Sequence, residues 1–237
     1  MPVNTSPIAL CAPGVVLGVA LTFAAALPLF APKAESAVDI VALAFLLAIG
    51  RFALSLAALD TRSAFAGMAA SREMTFGSLV EPALLVALLG AAALGAGTQM
   101  PALLALPFGA AGALAVGAFF LVILAETGRI PIDNQETHYE LTMIHEGLTL
   151  EYSGWHLALV QYAAQIKQLA FFALATLLLP GDTIWIHLLW IVALLFAIAV
   201  VETVFARLRL FEVPQLIAAA FILAVTSIGL RTLGILG

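Results

Sequence analysis

Long apolar runs alternate with short polar or helix-breaking stretches along the whole chain. Each run has about the 20 residues that an α-helix needs to cross the hydrocarbon core of a bilayer. The pattern predicts seven spanning helices, at residues 8–30, 39–60, 79–97, 103–126, 157–179, 184–206 and 215–236. The first run is too long for a signal-peptide core and follows no basic segment, so we interpret it as a span. We therefore expect an all-α, polytopic membrane helix bundle that forms one integral membrane domain over residues 1–237.

Composition supports the membrane assignment and limits the chemistry. Apolar residues make up 64% of the chain and charged residues 10%, with a mean hydropathy of +1.15, whereas soluble domains are roughly half apolar and a quarter charged. The net charge of −5 argues against nucleic acid as a partner, because phosphate binding requires a basic patch. The single cysteine, Cys11, excludes an iron–sulfur or nickel site built by this chain alone, since such sites need several thiolates. We expect no cofactor or metal in this chain.

The distribution of basic residues predicts the orientation in the membrane. Seven spans place the two termini on opposite sides, and short loops rich in Lys and Arg stay in the cytoplasm. Five arginines lie on the side of the N-terminus: Arg62, Arg72, Arg129, Arg207 and Arg209. Only Lys33 and Arg231 lie on the other side. We therefore predict a cytoplasmic N-terminus.

One predicted cytoplasmic loop, residues 127–156, collects much of the ionisable chemistry. Gly128 and Pro131 end the fourth span, and Asp133 with Glu136 resembles the capping box of a short helix. If residues 134–146 are helical, Asp133, Glu136 and Glu140 share one face. Neighbouring carboxylates titrate as a group with some pKa values raised toward neutrality, as a proton relay requires. The alternative is a solvated loop whose acids face only water.

Ionisable residues inside the predicted spans favour the relay. Glu81, Glu126 and Glu202 lie at the inner ends of spans, where a charge is costly and is usually paired or used for conduction. Lys167 lies near the middle of its span and is either a relay group or a structurally paired lysine, whereas Arg51 is expected to anchor salt bridges. The predicted proton path comprises Glu81, Glu126, Asp133, Glu136, Glu140, Glu146, Glu151, Lys167 and Glu202.

Two motifs resemble a known family. The loop opens with Glu126, Thr127, Arg129, Pro131 and Asp133 and closes with EYSG at residues 151–154. This resembles the signature of the family of complex I subunit 1 and its relatives in membrane-bound nickel–iron hydrogenases. The stretches ELTMIHE (140–146) and AALDTRSAFAGMAASRE (57–73) resemble the formate hydrogenlyase subunit 4 branch of that family.

The resemblance implies a membrane subunit that joins a peripheral redox arm to antiporter-like ion pumps in a bacterial inner membrane. Its expected partners are hydrogenase-like large and small subunits, which would carry the nickel–iron centre and iron–sulfur clusters. Arg129, Pro131 and Tyr152 match positions that fix the structure of the loop. Family members usually begin with a further span and an amphipathic segment that helps form the quinone or equivalent cavity. This chain begins at what resembles their second span.

The favoured function is a non-redox membrane subunit of a hydrogenase or formate hydrogenlyase complex that links electron transfer in its partners to proton or sodium translocation. One alternative is the quinone-site membrane subunit of a respiratory NADH dehydrogenase, which shares the opening of the loop. Another is a purely structural membrane anchor, whose acidic loop docks soluble subunits and carries no ion.

Overall fold

The computed structural model describes residues 6–27, 38–92, 109–133, 144–181, 183–206, 208 and 212–233. Within these ranges the chain forms seven α-helices: α1 (Pro7–Ala26), α2 (Ile40–Asp60), α3 (Ala64–Ala92), α4 (Ala110–Glu126), α5 (Gly154–Leu177), α6 (Ile184–Val204) and α7 (Val213–Thr232). A short 3₁₀ turn covers Glu146–Leu148. The predicted all-α membrane bundle is therefore confirmed. Six of these helices are long and apolar enough to cross a bilayer, and α4 is a shorter apolar helix of 17 residues.

Local sequence signals set where several helices begin and end. The Ser6 hydroxyl accepts the Ile8 N–H at 3.2 Å at the start of α1, and the Asp39 carboxylate accepts the Val41 N–H at 2.7 Å at the start of α2. Such caps satisfy backbone donors that have no partner within the helix. Gly128, with a φ of +59°, follows α4 in the left-handed conformation that glycine adopts readily.

Three helices meet at a cluster of aromatic rings in the core. Phe23 of α1 lies 5.2 Å from Phe171 of α5, and Phe171 lies 6.2 Å from Phe119 of α4, measured between ring centroids. All three side chains are fully buried. Helix α1 also packs against α2, whereas α3 packs against α2, α4 and α7. These contacts hold α2, α3, α4 and α5 around one shared interior, and charged side chains from all four helices meet there.

Helix α6 has a different environment from the others. It packs mainly against α5, and most of its large apolar side chains, including Trp185, Leu189 and Phe196, are exposed. A helix that is apolar around most of its circumference suits contact with lipid chains. Together with the other apolar helices, it makes the chain a multi-pass membrane protein.

The structure differs from the sequence-based prediction at the third helix. We predicted a span over 79–97, but α3 begins at Ala64 and runs without interruption to Ala92. Residues 64–78 contain several alanines and no proline, so they extend the helix at little cost. As a result, Glu73 lies on a packed helix and not in a loop. The end of the predicted third span and the start of the fourth lie outside the described residues.

The acidic loop is described at its two ends. The helix predicted over 134–146 falls mostly outside the described residues. Of its last three positions, Ile144 and His145 form a bend and a turn, and Glu146 starts the 3₁₀ turn. Pro131 follows Ile130 through a cis peptide bond in the turn after α4. The two ends lie close together, because the Asp133 carboxylate accepts backbone N–H groups from Ile144 and His145 at 3.3 and 3.2 Å.

Candidate functional site

Arg51, near the middle of α2, contacts three carboxylates from two other helices. Its Nε lies 3.3 Å from Glu73 Oε1 and its Nη1 donates to Glu81 Oε1 at 2.9 Å, both on α3. Its Nη2 donates to Glu126 Oε1 at the end of α4. Guanidinium presents its N–H groups as a rigid fork, so one buried side chain can serve three acids. The prediction that Arg51 anchors salt bridges is confirmed.

Gly77 makes the space that the Arg51 side chain occupies. A Cβ atom at position 77 would lie 2.8 Å from Arg51 Nη1 and 2.9 Å from its Cδ. Glu73, Gly77 and Glu81 are spaced four residues apart and therefore share one face of α3. The pattern is visible in the sequence, but it becomes meaningful only when residues 64–92 are known to form one helix.

Glu126 is held by a second cation. Its Oε2 atom lies 3.4 Å from Lys167 Nζ on α5, and only 1% of the Glu126 side chain is exposed. Lys167 is therefore paired within the bundle, although its own helix offered no partner in the sequence. The side chain of Lys167 is 28% exposed, so it connects the buried carboxylate with the more open space beside α5.

His145 lies between an acid of α3 and an acid of the loop. Its Nε2 is 3.7 Å from Glu73 Oε2, and its Nδ1 is 3.7 Å from Asp133 Oδ2. Burial lowers the pKa of His145, but the Glu73 and Asp133 carboxylates outweigh it and raise the pKa above the ordinary 6.5. Gly128 keeps this position open, since a Cβ there would lie 2.7 Å from His145 Nδ1. We did not predict His145 as a member of the proton path.

Arg129 forms a second and shallower site. Its Nη1 lies 3.4 Å from Glu202 Oε1 on α6, and its Nη2 lies 3.3 Å from Gln168 Oε1 on α5. The side chains of Arg129 and Glu202 are 34% and 30% exposed. These contacts connect the start of the loop with two helices, and the role of Arg129 in fixing the loop stays a prediction.

Tyr152 ties the end of the loop to α1 through an unusual acceptor. Its hydroxyl donates to the backbone carbonyl of Ala9 at 2.9 Å. Ala9 precedes Pro13 by four residues, and proline has no N–H with which to complete the helical bond to that carbonyl. Burial, together with the nearby Asp60 carboxylate, raises the pKa of Tyr152 to about 12, so the hydroxyl keeps its proton at neutral pH. Tyr152 therefore replaces the missing donor.

A cavity of about 710 Å³ lies beside these residues. Apolar side chains of α1, α2 and α5 line one part of it, among them Val16, Leu47 and Val160. Its polar lining includes Arg51, Glu73, Glu126, Arg129, His145, Glu146, Lys167 and Gln168. The cavity thus combines an apolar wall with a charged one.

The structure brings together part of the predicted proton path. Glu81, Glu126, Asp133 and Lys167 belong to one connected group with Arg51, Glu73 and His145, which we name the Arg51 cluster. Glu202 belongs to the Arg129 site. Glu146 lines the cavity, and Glu151 lies in the turn before α5. Glu136 and Glu140 lie outside the described residues. The role of these residues as a proton path stays a prediction.

Known proteins are similar to this chain over most of its length. The family described as NADH dehydrogenase matches residues 1–231. Hydrogenase-4 component C of Escherichia coli is 39% identical over 177 residues, which cover 71% of this chain and 55% of that protein. Formate hydrogenlyase subunit 4 of Escherichia coli is 32% identical over 235 residues, covering 88% of this chain and 74% of that protein. The chain therefore spans about half the length of the first relative and three quarters of the second.

A solved structure shares the fold. A chain in the membrane-bound sulfane sulfur reductase, an archaeal respiratory membrane complex, superposes with a TM-score of 0.80 at 17% identity, covering 96% of this chain and 82% of that chain. At this level of identity, the likeness concerns the arrangement of the helices alone.

Proposed function

This chain belongs to the NADH dehydrogenase family, and from that premise we propose that it is the non-redox membrane subunit of a hydrogenase or formate hydrogenlyase complex. In such a complex it would link electron transfer in a peripheral arm to proton or sodium movement in antiporter-like membrane subunits. Two relatives support this choice, since one is a component of hydrogenase-4 and the other a subunit of formate hydrogenlyase. The nickel–iron centre and the iron–sulfur clusters would belong to the partner subunits.

The single observation that carries the proposal is the burial of Glu126 between two cations. A carboxylate that is 1% exposed and paired with both Arg51 and Lys167 is stable only while its partners stay in place. A change in the position or charge of either partner alters the free energy of a proton on Glu126. Such a group can therefore convert a movement beneath a redox subunit into proton uptake or release.

We base a proposed orientation in the membrane on the side of the bundle at which the acidic loop lies. Glu126 ends α4 and the acidic loop begins directly after it, and the end of that loop reaches the start of α1, because Tyr152 contacts Ala9. We propose that this side faces the cytoplasm of a bacterial cell, in agreement with the excess of arginines there. The peripheral arm would then bind over the acidic loop.

The test uses the assembled complex with Glu126→Gln. Glutamine keeps the shape of the side chain but cannot carry the charge or exchange the proton. We expect the complex to assemble, while hydrogen evolution and ion pumping into inverted vesicles both fall well below wild-type levels. Glu35→Gln, on the side predicted to be outside, is the matched control and is expected to leave both activities unchanged.

Two outcomes would reject the proposal. If Glu126→Gln assembles and both activities remain at the wild-type level, Glu126 carries no proton in the coupling. If charge-neutralising variants of the cluster lose assembly in every case, and none assembles without pumping, the chain is a structural anchor.

A second candidate is the quinone-site membrane subunit of a respiratory NADH dehydrogenase. The 710 Å³ cavity favours it, because an apolar wall beside polar groups suits a ligand with an isoprenoid tail and a polar ring. Purification of the complex in mild detergent and identification of its subunits separates the two candidates. A nickel-ligating large subunit supports the first, and an NADH-oxidising arm supports the second.

A further inference from the structure

We propose that His145 exchanges protons between the Arg51 cluster and the water of the cavity, and that its protonated ring joins Asp133 of the loop to Glu73 of α3. The two ring nitrogens face acids from two different elements, each at 3.7 Å. An imidazolium ring has an N–H on both nitrogens, whereas a neutral ring has only one. The protonated residue can therefore hold both acids, and the neutral residue can hold one.

The charges of the cluster favour the protonated form of His145. Three of its acids have almost fully buried side chains, namely Glu73, Glu126 and Asp133, with exposed fractions of 9%, 1% and 3%. Arg51 contacts both Glu73 and Glu126, and Lys167 contacts Glu126. Buried charges are stable when they are balanced nearby. A protonated His145 adds a positive charge between Glu73 and Asp133, where two acids face one ring.

His145 is the member of the cluster whose residue type best suits proton exchange with water near neutral pH. Arg51 does not release its proton in proteins, and its guanidinium contacts both Glu73 and Glu126. Histidine is the residue type whose ordinary pKa lies near physiological pH. The side chain of His145 is 29% exposed and lines the large cavity, so water can reach it to deliver or remove the proton.

Charged groups from several elements act on His145. Glu73 of α3 and Asp133 of the loop raise its pKa, whereas burial and Lys167 of α5 lower it, and the net direction is upward. Arg51 of α2 competes for Glu73, and Arg129 and Glu146 line the same cavity. The residues of α7 that border the adjoining small void, Val213 and Ile217, are apolar.

The direction of the pH dependence follows from the raised pKa. The protonated His145 ring forms a bridge between Asp133 and Glu73. This bridge is complete below the ordinary histidine pKa of 6.5 and is lost as the pH rises through the raised pKa of the folded protein. Loss of the bridge frees one acid from the ring and loosens the attachment of the loop to α3. Since Asp133 also holds the N–H groups of Ile144 and His145, the exchange of these two amides reports on the bridge.

The test measures amide hydrogen exchange of a peptide containing residues 144 and 145 in the purified complex, between pH 5.5 and 8.5, after correction for the intrinsic pH dependence of exchange. In the wild type we expect protection to fall by about tenfold with rising pH, because the loop end then loses one of its contacts with the His145 ring. His145→Gln should be unprotected throughout, and His145→Lys, with a permanent charge, should remain protected throughout. His187→Gln, at the far end of α6, is the control and should keep the wild-type step.

The role of the His145 bridge in coupling rests on the proposed function. The outcomes of this experiment nevertheless test the bridge separately from that function. An equal pH step in the wild type and His145→Gln, or no step in the wild type, overturns the bridge whatever the activity. A step that His145→Gln abolishes supports the bridge, even if Glu126→Gln retains hydrogen evolution and ion pumping and thereby rejects the proposed function. If the bridge also serves coupling, the pH profile of pumping should flatten in His145→Lys, which a purely structural residue would not cause.

Discussion

Arg51 and Arg129 are residues of the same type that lie in different environments within one bundle. Arg51 is 10% exposed and contacts three carboxylates on two neighbouring helices. Arg129 is 34% exposed and reaches one carboxylate and one amide, at 3.4 and 3.3 Å. The first site is withdrawn from water and depends on the relative position of three helices. The second is screened by solvent and holds a loop.

The difference shows that burial, more than the number of charges, decides what a charged residue does in this protein. Removing a partner from a buried group leaves an isolated charge that water cannot reach, and the cost is large. Removing a partner from a half-exposed group lets water take its place. The Arg51 cluster can therefore store the free energy of a charge change, and the Arg129 site can do so only weakly.

The largest expected effect comes from Arg51→Met. The variant leaves Glu73 and Glu126 buried without their guanidinium, so we expect a loss of about 3–5 kcal/mol in the free energy of unfolding. Thermal unfolding of the purified protein in detergent measures it. Arg129→Met is the matched control, with an expected loss of about 1 kcal/mol or less. Equal losses in the two variants would remove the distinction between the sites.

An intermediate loss of unfolding free energy is expected for Tyr152→Phe, which removes a neutral buried contact and so allows comparison with the charged contacts of Arg51. Tyr152→Phe leaves the Ala9 carbonyl without the donor that replaces the Pro13 N–H, which costs about 1–3 kcal/mol. Pro13→Ala restores the helical N–H, so Tyr152→Phe should cost less in that background. A double-mutant cycle of unfolding free energies gives the coupling, and additive effects would contradict this account.

The smallest expected effect is that of Glu202→Gln. Its 3.4 Å contact with Arg129 is partly exposed, so we expect a loss of less than about 1 kcal/mol that diminishes further at high salt. Unfolding measured at low and high ionic strength checks both points. A large, salt-independent loss would show that the Arg129 site is covered in the complex and resembles the Arg51 cluster.

The sequence was sufficient for the class of fold and for the expectation that an arginine inside a span forms salt bridges. The seven apolar runs correspond to the seven described α-helices, and a cation inside a span was expected to be paired, as Arg51 is. These predictions depend on local properties, namely the length of apolar runs and the cost of a charge in lipid.

The partners could not be predicted, because they depend on which helices are neighbours. Lys167 and Glu126 are 41 positions apart, and nothing in either segment indicates the other. The position of His145 between Glu73 and Asp133 requires the long α3 and the closed loop ends. The early start of α3 was missed because its first turns are not apolar enough to be recognised as part of a span.

The contact between Tyr152 and Ala9 also bears on how the protein is made. The two residues are 143 positions apart, so the acceptor on α1 is synthesised well before its donor. Until then, the backbone acceptor at Ala9, in the first turn of α1, needs another donor, such as water or a lipid headgroup. The N-terminal helix thus completes its bonding only when α5, against which it packs, is also being synthesised. Closure of the bundle around α1 is therefore a late event in biogenesis.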